Sequence, residues 1–221
     1  MKFTQEIQKA KDLLESKGYF TYNLWQTEDV TSRYECEEDD ALEITYDSSP
    51  ESPREDSNLG YFITCETGRY SPDRDEVLEG IVESTGYRAK NVDNHMKLIA
   101  DEFEEDVIAI FPVCRYEHGD VKYSLGIKHG FDYSNCGFYI VTKESLDEIG
   151  YEITSGKKLH SMILDEINAF NSYINGDVYC YTLYDEGGNV QDSYCGFYSI
   201  DDIASELPDE FKDENLEDYI V

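Results

Sequence analysis

Val178-Tyr179-Cys180-Tyr181-Thr182-Leu183-Tyr184, then Asp185-Glu186-Gly187-Gly188-Asn189, then Val190-Gln191-Asp192-Ser193-Tyr194-Cys195-Gly196-Phe197-Tyr198 decide the fold class. The flanking runs are rich in aromatic and β-branched residues and the five residues between them are turn formers, so the segment predicts a β-hairpin. Just upstream, Leu159, Ile163, Ile167, Phe170 and Ile174 recur at helical spacing before Gly176. That pattern predicts a helix over about 157–175 closed by a glycine cap. Farther back, Val107 to Val113 is a continuous apolar run and reads as a central strand. Glu117-His118-Gly119-Asp120 reads as the turn into a second strand over 122–127, and Phe138 to Val141 reads as a third strand. The expected fold is α+β, an N-terminal helical module followed by a mostly antiparallel sheet with packed helices.

The N-terminal third carries the helical signals. Phe3, Ile7, Ala10 and Leu14 predict a helix over about 5–17, with Thr4 as its cap and Gly18 as its stop. Thr27 suits the N-cap of a short helix, and Ala41, Leu42 and Ile44 suggest another across 39–45. This pair has the outline of a helix-turn-helix. A DNA-reading helix needs Lys or Arg for phosphates, whereas Glu35 to Glu43 holds six acids and no base. Ser48, Ser49, Pro50, Ser52, Pro53, Ser57 and Gly60 then mark a linker. The expected organisation is a helical module over 1–50 and an α+β domain over 61–221 with an acidic C-terminal segment. Within that domain, Tyr61 to Cys65 reads as a strand. Pro72 would open a helix with Asp73, Asp75 and Glu76 in its first turn, and a further helix is expected over 92–104.

The chain has 221 residues, 49 Asp and Glu against 18 Lys and Arg, and a net charge of −31. Disordered acidic tails are poor in aromatic residues, but this chain has 19 Tyr and 10 Phe. It therefore reads as a folded domain that tolerates self-repulsion. Such a surface repels nucleic acid and membranes and attracts basic grooves, above all nucleic-acid-binding ones. No apolar run reaches membrane-spanning length and the first residues lack a signal-peptide pattern, so a cytoplasmic location is expected. Six cysteines at 36, 65, 114, 136, 180 and 195 show no close pairing, which reads as reduced, buried thiols.

Two segments echo each other. Asp132-Tyr133-Ser134-Asn135-Cys136-Gly137-Phe138-Tyr139 precedes a short helix at 143–149, and Asp192-Ser193-Tyr194-Cys195-Gly196-Phe197-Tyr198 precedes another at 200–207. They read as equivalent strands of one sheet. With Gly176-Asp177-Val178-Tyr179 and Tyr184-Asp185-Glu186-Gly187-Gly188, the second segment resembles the C-terminal signature of a family of small acidic phage and plasmid proteins, often encoded near antirestriction genes. That family carries Trp-Asp-Ser-Gly where this chain has Tyr133-Ser134-Asn135-Cys136-Gly137. Leu24-Trp25-Gln26-Thr27-Glu28-Asp29-Val30 likewise resembles a short module of phage proteins. The resemblance covers roughly half of the chain. It implies a viral or mobile-element origin and assigns no activity and no catalytic residue.

The sequence holds no GxSxG, HExxH or GxGxxG pattern. Gly150 to Lys158 imitates a phosphate loop, but the spacing is one residue too long and Lys158 stands where Ser or Thr belongs. No catalytic residue, cofactor or metal ligand is assigned, because acid pairs such as Asp39-Asp40 and Asp201-Asp202 arise by chance among 49 acids. The acids make more sense as a partner-binding surface: Glu37, Glu38, Asp39 and Asp40 in the N-terminal module, and Asp201, Asp202, Asp209, Glu210, Asp213, Glu214, Glu217 and Asp218 in the C-terminal segment. Phe211, Leu216, Tyr219 and Ile220 would let that last segment dock as an amphipathic helix.

The expected function is anti-defence. In this reading a phage-encoded, non-enzymatic inhibitor imitates nucleic-acid charge and binds a basic nuclease complex of the host, with no direct contact to nucleic acid or membrane. A homodimer is compatible with this. The competing reading is a non-catalytic adaptor between proteins. An enzyme with an acid-rich metal site and a halophilic housekeeping protein are two further alternatives.

Overall fold

The computed structural model of the chain describes residues 42–55, 57–73, 80, 92–102, 106–185, 188–211 and 214–220. The helices expected at 5–17 and after Thr27, and most of the segment expected to be helical from Ser71 to Gly86, lie outside these residues. Two compact units divide the chain, one of Met1–Glu43 with Thr182–Ser193 and the other of Ile44–Tyr181 with Tyr194–Val221.

The larger unit is built on a four-stranded antiparallel sheet of β2 (Tyr61–Thr64), β3 (Val107–His118), β4 (Asp120–Leu125) and β5 (Tyr133–Thr142), in the order β2-β5-β3-β4. β3 and β4 form a tight hairpin that closes with His118 opposite Asp120. As expected, β3 is internal. The deepest strand is β5, however, which is buried continuously from Cys136 to Thr142.

Both faces of the sheet are covered. On one face lies α3 (Gly156–Asn175), whose Leu159, Ile163, Ile167, Phe170 and Ile174 pack with Phe62, Val113, Tyr123, Tyr139 and Val141. On the other, Ile99 and Met96 of α1 (Val92–Glu102) pack with Ile63, Phe138 and Ile140. Alternate residues of β5 therefore meet opposite layers, and no position in its second half can be polar without a partner. A short helix, α2 (Lys143–Glu148), follows β5 directly. Thr142 and Ser145 cap its start reciprocally, each side chain accepting the other's backbone N–H at 3.1 Å.

Edge strands expose unpaired backbone groups, and α3 covers one with side chains. Asn171 Oδ1 accepts from Tyr123 N at 2.7 Å and its Nδ2 donates to Tyr123 O at 3.0 Å. Asn175, one turn on, makes the same pair with Val121 at 3.0 and 2.8 Å. The two amides thus stand in for a fifth strand beside β4. The shallow cleft along this seam, about 270 Å³, is lined by Val121, Asn171 and Asn175 with Asp120, Lys122, Asn168, Ser172 and Asp177.

A second sheet has the order β1-β6-β7, from β1 (Leu42–Tyr46), β6 (Tyr179–Tyr184) and β7 (Val190–Phe197). β6 and β7 are the expected hairpin. β1 corrects an expectation, because residues 42–45 were read as the end of a helix. Leu42 and Ile44 are buried and alternate with half-buried Glu43 and Thr45, so the governing period is two.

The thiol reading is corrected as well. Cys180 and Cys195 form a disulfide between β6 and β7. Cys65 is exposed, while Cys114 and Cys136 are buried free thiols as expected.

The echo is realised as two strand-to-helix units, β5 into α2 and β7 into α4 (Ile200–Glu206), each helix capped by a hydroxyl residue, Thr142 or Ser199. The strands lie in different sheets rather than in one, and their glycines serve different ends. A Cβ on Gly137 would lie 2.0 Å from Ile63 O and 2.7 Å from Thr64 Cα, so β2 approaches too closely for any side chain. Gly196 has nothing within 4 Å but takes φ +91°, a left-handed conformation that favours glycine.

Candidate functional site

The C-terminal segment carries the acids expected to bind a partner, and it is anchored. After α4 come two 3-10 turns, Asp209–Phe211 and Leu216–Tyr219. The short helix expected at 200–207 is α4, and the segment was expected to dock as an amphipathic helix. Pro208 interrupts it by removing a backbone N–H, and each turn instead closes its own hydrogen bonds, from Phe211 N to Pro208 O and from Asp218 N to Asn215 O.

Ile203, Leu207, Phe211 and Leu216 are buried beneath these turns. The Phe211 and Tyr219 rings meet edge to face at 6.3 Å, and Ile220 bridges in parallel to Ile44 of β1. Each buried apolar side chain is worth about 1.5–3 kcal/mol as an upper estimate, enough to hold the segment in place.

Above this underside Asp201, Asp202, Asp209, Glu214, Glu217 and Asp218 are exposed. Asp201 and Asp202 occupy the first turn of α4, where Ser199 Oγ accepts from Asp202 N at 3.1 Å. The backbone of Glu210 lies in the first 3-10 turn. Glu37, Glu38, Asp39, Asp40 and Asp213 lie outside the described residues.

A second exposed feature differs in chemistry. The loop from Gly126 to Asp132 between β4 and β5 carries Phe131 with its whole side chain in solvent, flanked by exposed Ile127 and Tyr133. Several contacts hold the loop to the sheet. Asn135 clasps Lys128 through both its N and its O at 3.1 Å, Lys128 Nζ sits over the Tyr133 ring at 5.8 Å, and Tyr133 packs on Tyr116 at 5.0 Å.

The sequence reading missed Arg54, the one cation among the Ser and Pro residues of the 47–60 linker. Its side chain is 3% exposed. Nε and Nη2 clamp both oxygens of Asp73 at 2.8 and 2.6 Å; Nη1 reaches Asn58 Oδ1 and Glu166 Oε2, both at 2.8 Å; Nη2 also reaches Gly60 O at 2.6 Å. All five guanidinium N–H groups are therefore used. Burial alone would lower its pKa, but the hydrogen bond and charge of Asp73, with Tyr139 and Glu166, more than reverse that and hold it protonated.

Glu166 also accepts from Leu59 N at 2.8 Å and from the Tyr139 hydroxyl, and Asp73 accepts from Phe62 N. Asp73 was expected in the first turn of a helix. It lies in a bend, because its carboxylate serves this network and its N–H bonds Phe62 O. The cluster is saturated, and it ties the linker to β2, β5 and α3.

The P-loop imitation at 150–158 is a turn and an irregular stretch that run into the first residues of α3, with Ser155 Oγ accepting from Lys158 N and Lys158 Nζ over the Tyr151 ring. Asp47, Cys180 and Cys195 each place one potential ligand atom within 4.8 Å of the others. Among the described residues no helix is long and apolar enough to cross a membrane. No protein-family model, curated protein or solved structure matches this chain.

Proposed function

We propose that this is an anti-defence protein of a phage or mobile element. It occupies the basic cleft of a host nucleic-acid-binding complex, a restriction or CRISPR nuclease in the host cytoplasm, by presenting charge in the manner of DNA. The observation that carries this reading is the anchored acidic face: seven described carboxylates, Glu206 among them, stand exposed on α4 and the turns after it, whose apolar undersides are buried. Fixed charges compete for a basic cleft better than those of a loose tail, which must be ordered on binding. Electrostatic steering would make association fast and salt-sensitive. Inhibition in this reading is by occupancy and needs no catalysis or cofactor.

The test is capture of the host complex by tagged protein at about 0.1 M and about 0.5 M salt, the higher strongly screening surface charge. Capture should fail at high salt, be competed by DNA, and be lost on joint substitution D201N/D202N/E214Q/E217Q/D218N. Undiminished capture by that variant refutes the proposal.

The adaptor reading is favoured by one observation, the exposed Phe131 tip, whose contacts would be apolar. Phe131→Ala would then weaken a salt-insensitive interaction by tenfold or more, about 1.4 kcal/mol, while leaving salt-sensitive capture unchanged.

A further inference from the structure

We propose that Asp47, Cys180 and Cys195 form a redox-gated site for a thiophilic divalent cation, with zinc the best fit, closed by the disulfide in the oxidised chain and opened by reduction. Cys180 comes from β6 and Cys195 from the neighbouring β7, and Asp47 directly follows β1, which lies on the other side of β6. Asp47 is placed by its backbone, since its N–H donates to Val178 O at 2.7 Å just before β6. One ligand atom from each lies within 4.8 Å of the others. In a tetrahedral site with Zn–S about 2.3 Å and Zn–O about 2.1 Å, neighbouring ligand atoms stand roughly 3.4–3.8 Å apart. Side-chain rotation brings the three atoms to that spacing once the S–S bond is gone.

The chemistry balances with a dithiol as reductant. Its thiolate attacks one sulfur and a mixed disulfide forms. Its second thiol then closes the reductant's own disulfide, leaving Cys180 and Cys195 as thiols. The dithiol is oxidised by two electrons and the cystine is reduced by two. Cation binding then displaces one proton from each thiol.

Without a cation, two thiolates beside the Asp47 carboxylate repel one another. A divalent ion turns the same three charges into a coordination shell. Two sulfurs and one carboxylate select a borderline-soft metal over Mg²⁺ or Ca²⁺. Three protein ligands leave a fourth position for water, and Cys195 is exposed, so the ion has a path in.

The test uses Co²⁺ as a spectroscopic stand-in, in the whole 221-residue chain carrying C65S to remove the exposed free thiol and C36S so that Cys36 cannot contribute a sulfur ligand. Reduced protein should take up one Co²⁺ per chain with a sulfur-to-cobalt charge-transfer band, and oxidised protein should show none. Cys180→Ser or Cys195→Ser should abolish the band, and Asp47→Asn should weaken binding by about tenfold or more. No band in reduced protein, a band that survives both serine variants, or unchanged affinity in Asp47→Asn would each overturn the proposal. The C180S/C195S variant should keep the native circular dichroism spectrum. If it unfolds, the open site has no scaffold and the proposal falls.

Discussion

Replacing Arg54 with Met keeps most of the side-chain volume and removes the charge and all five donors. The change strands two carboxylates. Asp73 retains the N–H of Phe62, and Glu166 retains the N–H of Leu59 and the Tyr139 hydroxyl. Asn58 Oδ1 and Gly60 O lose the bond from Arg54. Removing one partner of a buried ion pair typically costs about 3–5 kcal/mol, because the other charge stays behind. Here the Asp73 and Glu166 side chains are 16% and 20% exposed, so water reaches them and the lower end applies, about 3 kcal/mol. With a urea m-value of about 2 kcal/mol/M, the unfolding midpoint should fall by about 1.5 M. Arg115→Met is the control. That side chain is 23% exposed and pairs with Glu66 and Glu117 at 3.2 and 3.3 Å, and it should cost about 1 kcal/mol. Adding Glu166→Gln to Arg54→Met removes one stranded charge and should recover stability. An Arg54→Met loss no larger than that of Arg115→Met, or a further loss on adding Glu166→Gln, would refute the reasoning.

Native-state alkylation followed by mass spectrometry should modify Cys65 quickly and spare Cys136 and Cys114, whose thiols burial pushes upward and keeps protonated. Alkaline stability follows from the same physics. Burial raises the pKa of Tyr123, Tyr139 and Cys136 in the folded state, so the unfolded chain releases these protons first. Stability is complete below the ordinary thiol and phenol values and falls above them by up to about 1.4 kcal/mol per pH unit per group; urea midpoints should drop between about pH 9 and 11, less steeply in Tyr139→Phe. Gly137→Ala forces a methyl against backbone atoms and should abolish or nearly abolish folding in a thermal melt, whereas Gly196→Ala meets only a conformational cost of about 1–3 kcal/mol; equal losses would contradict the two distinct roles.

What the sequence made legible was local. The α3 helix announced itself because five apolar residues repeat at 3.6 and a glycine ends them, and the β6–β7 hairpin because turn formers separate two β-rich runs. Arg54 was illegible because its partners stand 19 and 112 residues away, and only the fold brings them together. The disulfide was hidden for a related reason. A spacing of 15 residues between Cys180 and Cys195 matches no metal or redox pattern and pairs only once the hairpin register is known. Ala41, Leu42 and Ile44 misled because three apolar residues in four fit a helix as readily as a strand end, and burial on alternate residues decided for the strand. The acids of the last segment were legible as composition, and what the structure adds is the row of buried residues beneath them, Ile203, Leu207, Phe211 and Leu216.

The distribution of charge bears on why the chain is so acidic. Residues 107–160, which supply β3, β4, β5, α2 and the start of α3, carry six Lys and Arg against seven Asp and Glu. Nearly all of the −31 therefore sits in other parts of the sequence, and residues 199–220 alone hold nine acids against Lys212. The central sheet thus gains nothing from the excess, and its buried cation is matched locally by Asp73 and Glu166. Solubility does not demand the excess either, since a net charge of magnitude about 2–8 serves a small domain. Each further carboxylate adds repulsion that the folded state must carry. Of that excess, −8 lies on residues 199–220, nine acids against Lys212, over the buried Ile203, Leu207, Phe211 and Leu216, and it is this share that the proposed charge mimicry would use. Salt separates the two costs. Screening relieves self-repulsion and should raise the chain's own stability between about 0.1 and 0.5 M salt, while the same screening weakens its association with a basic cleft.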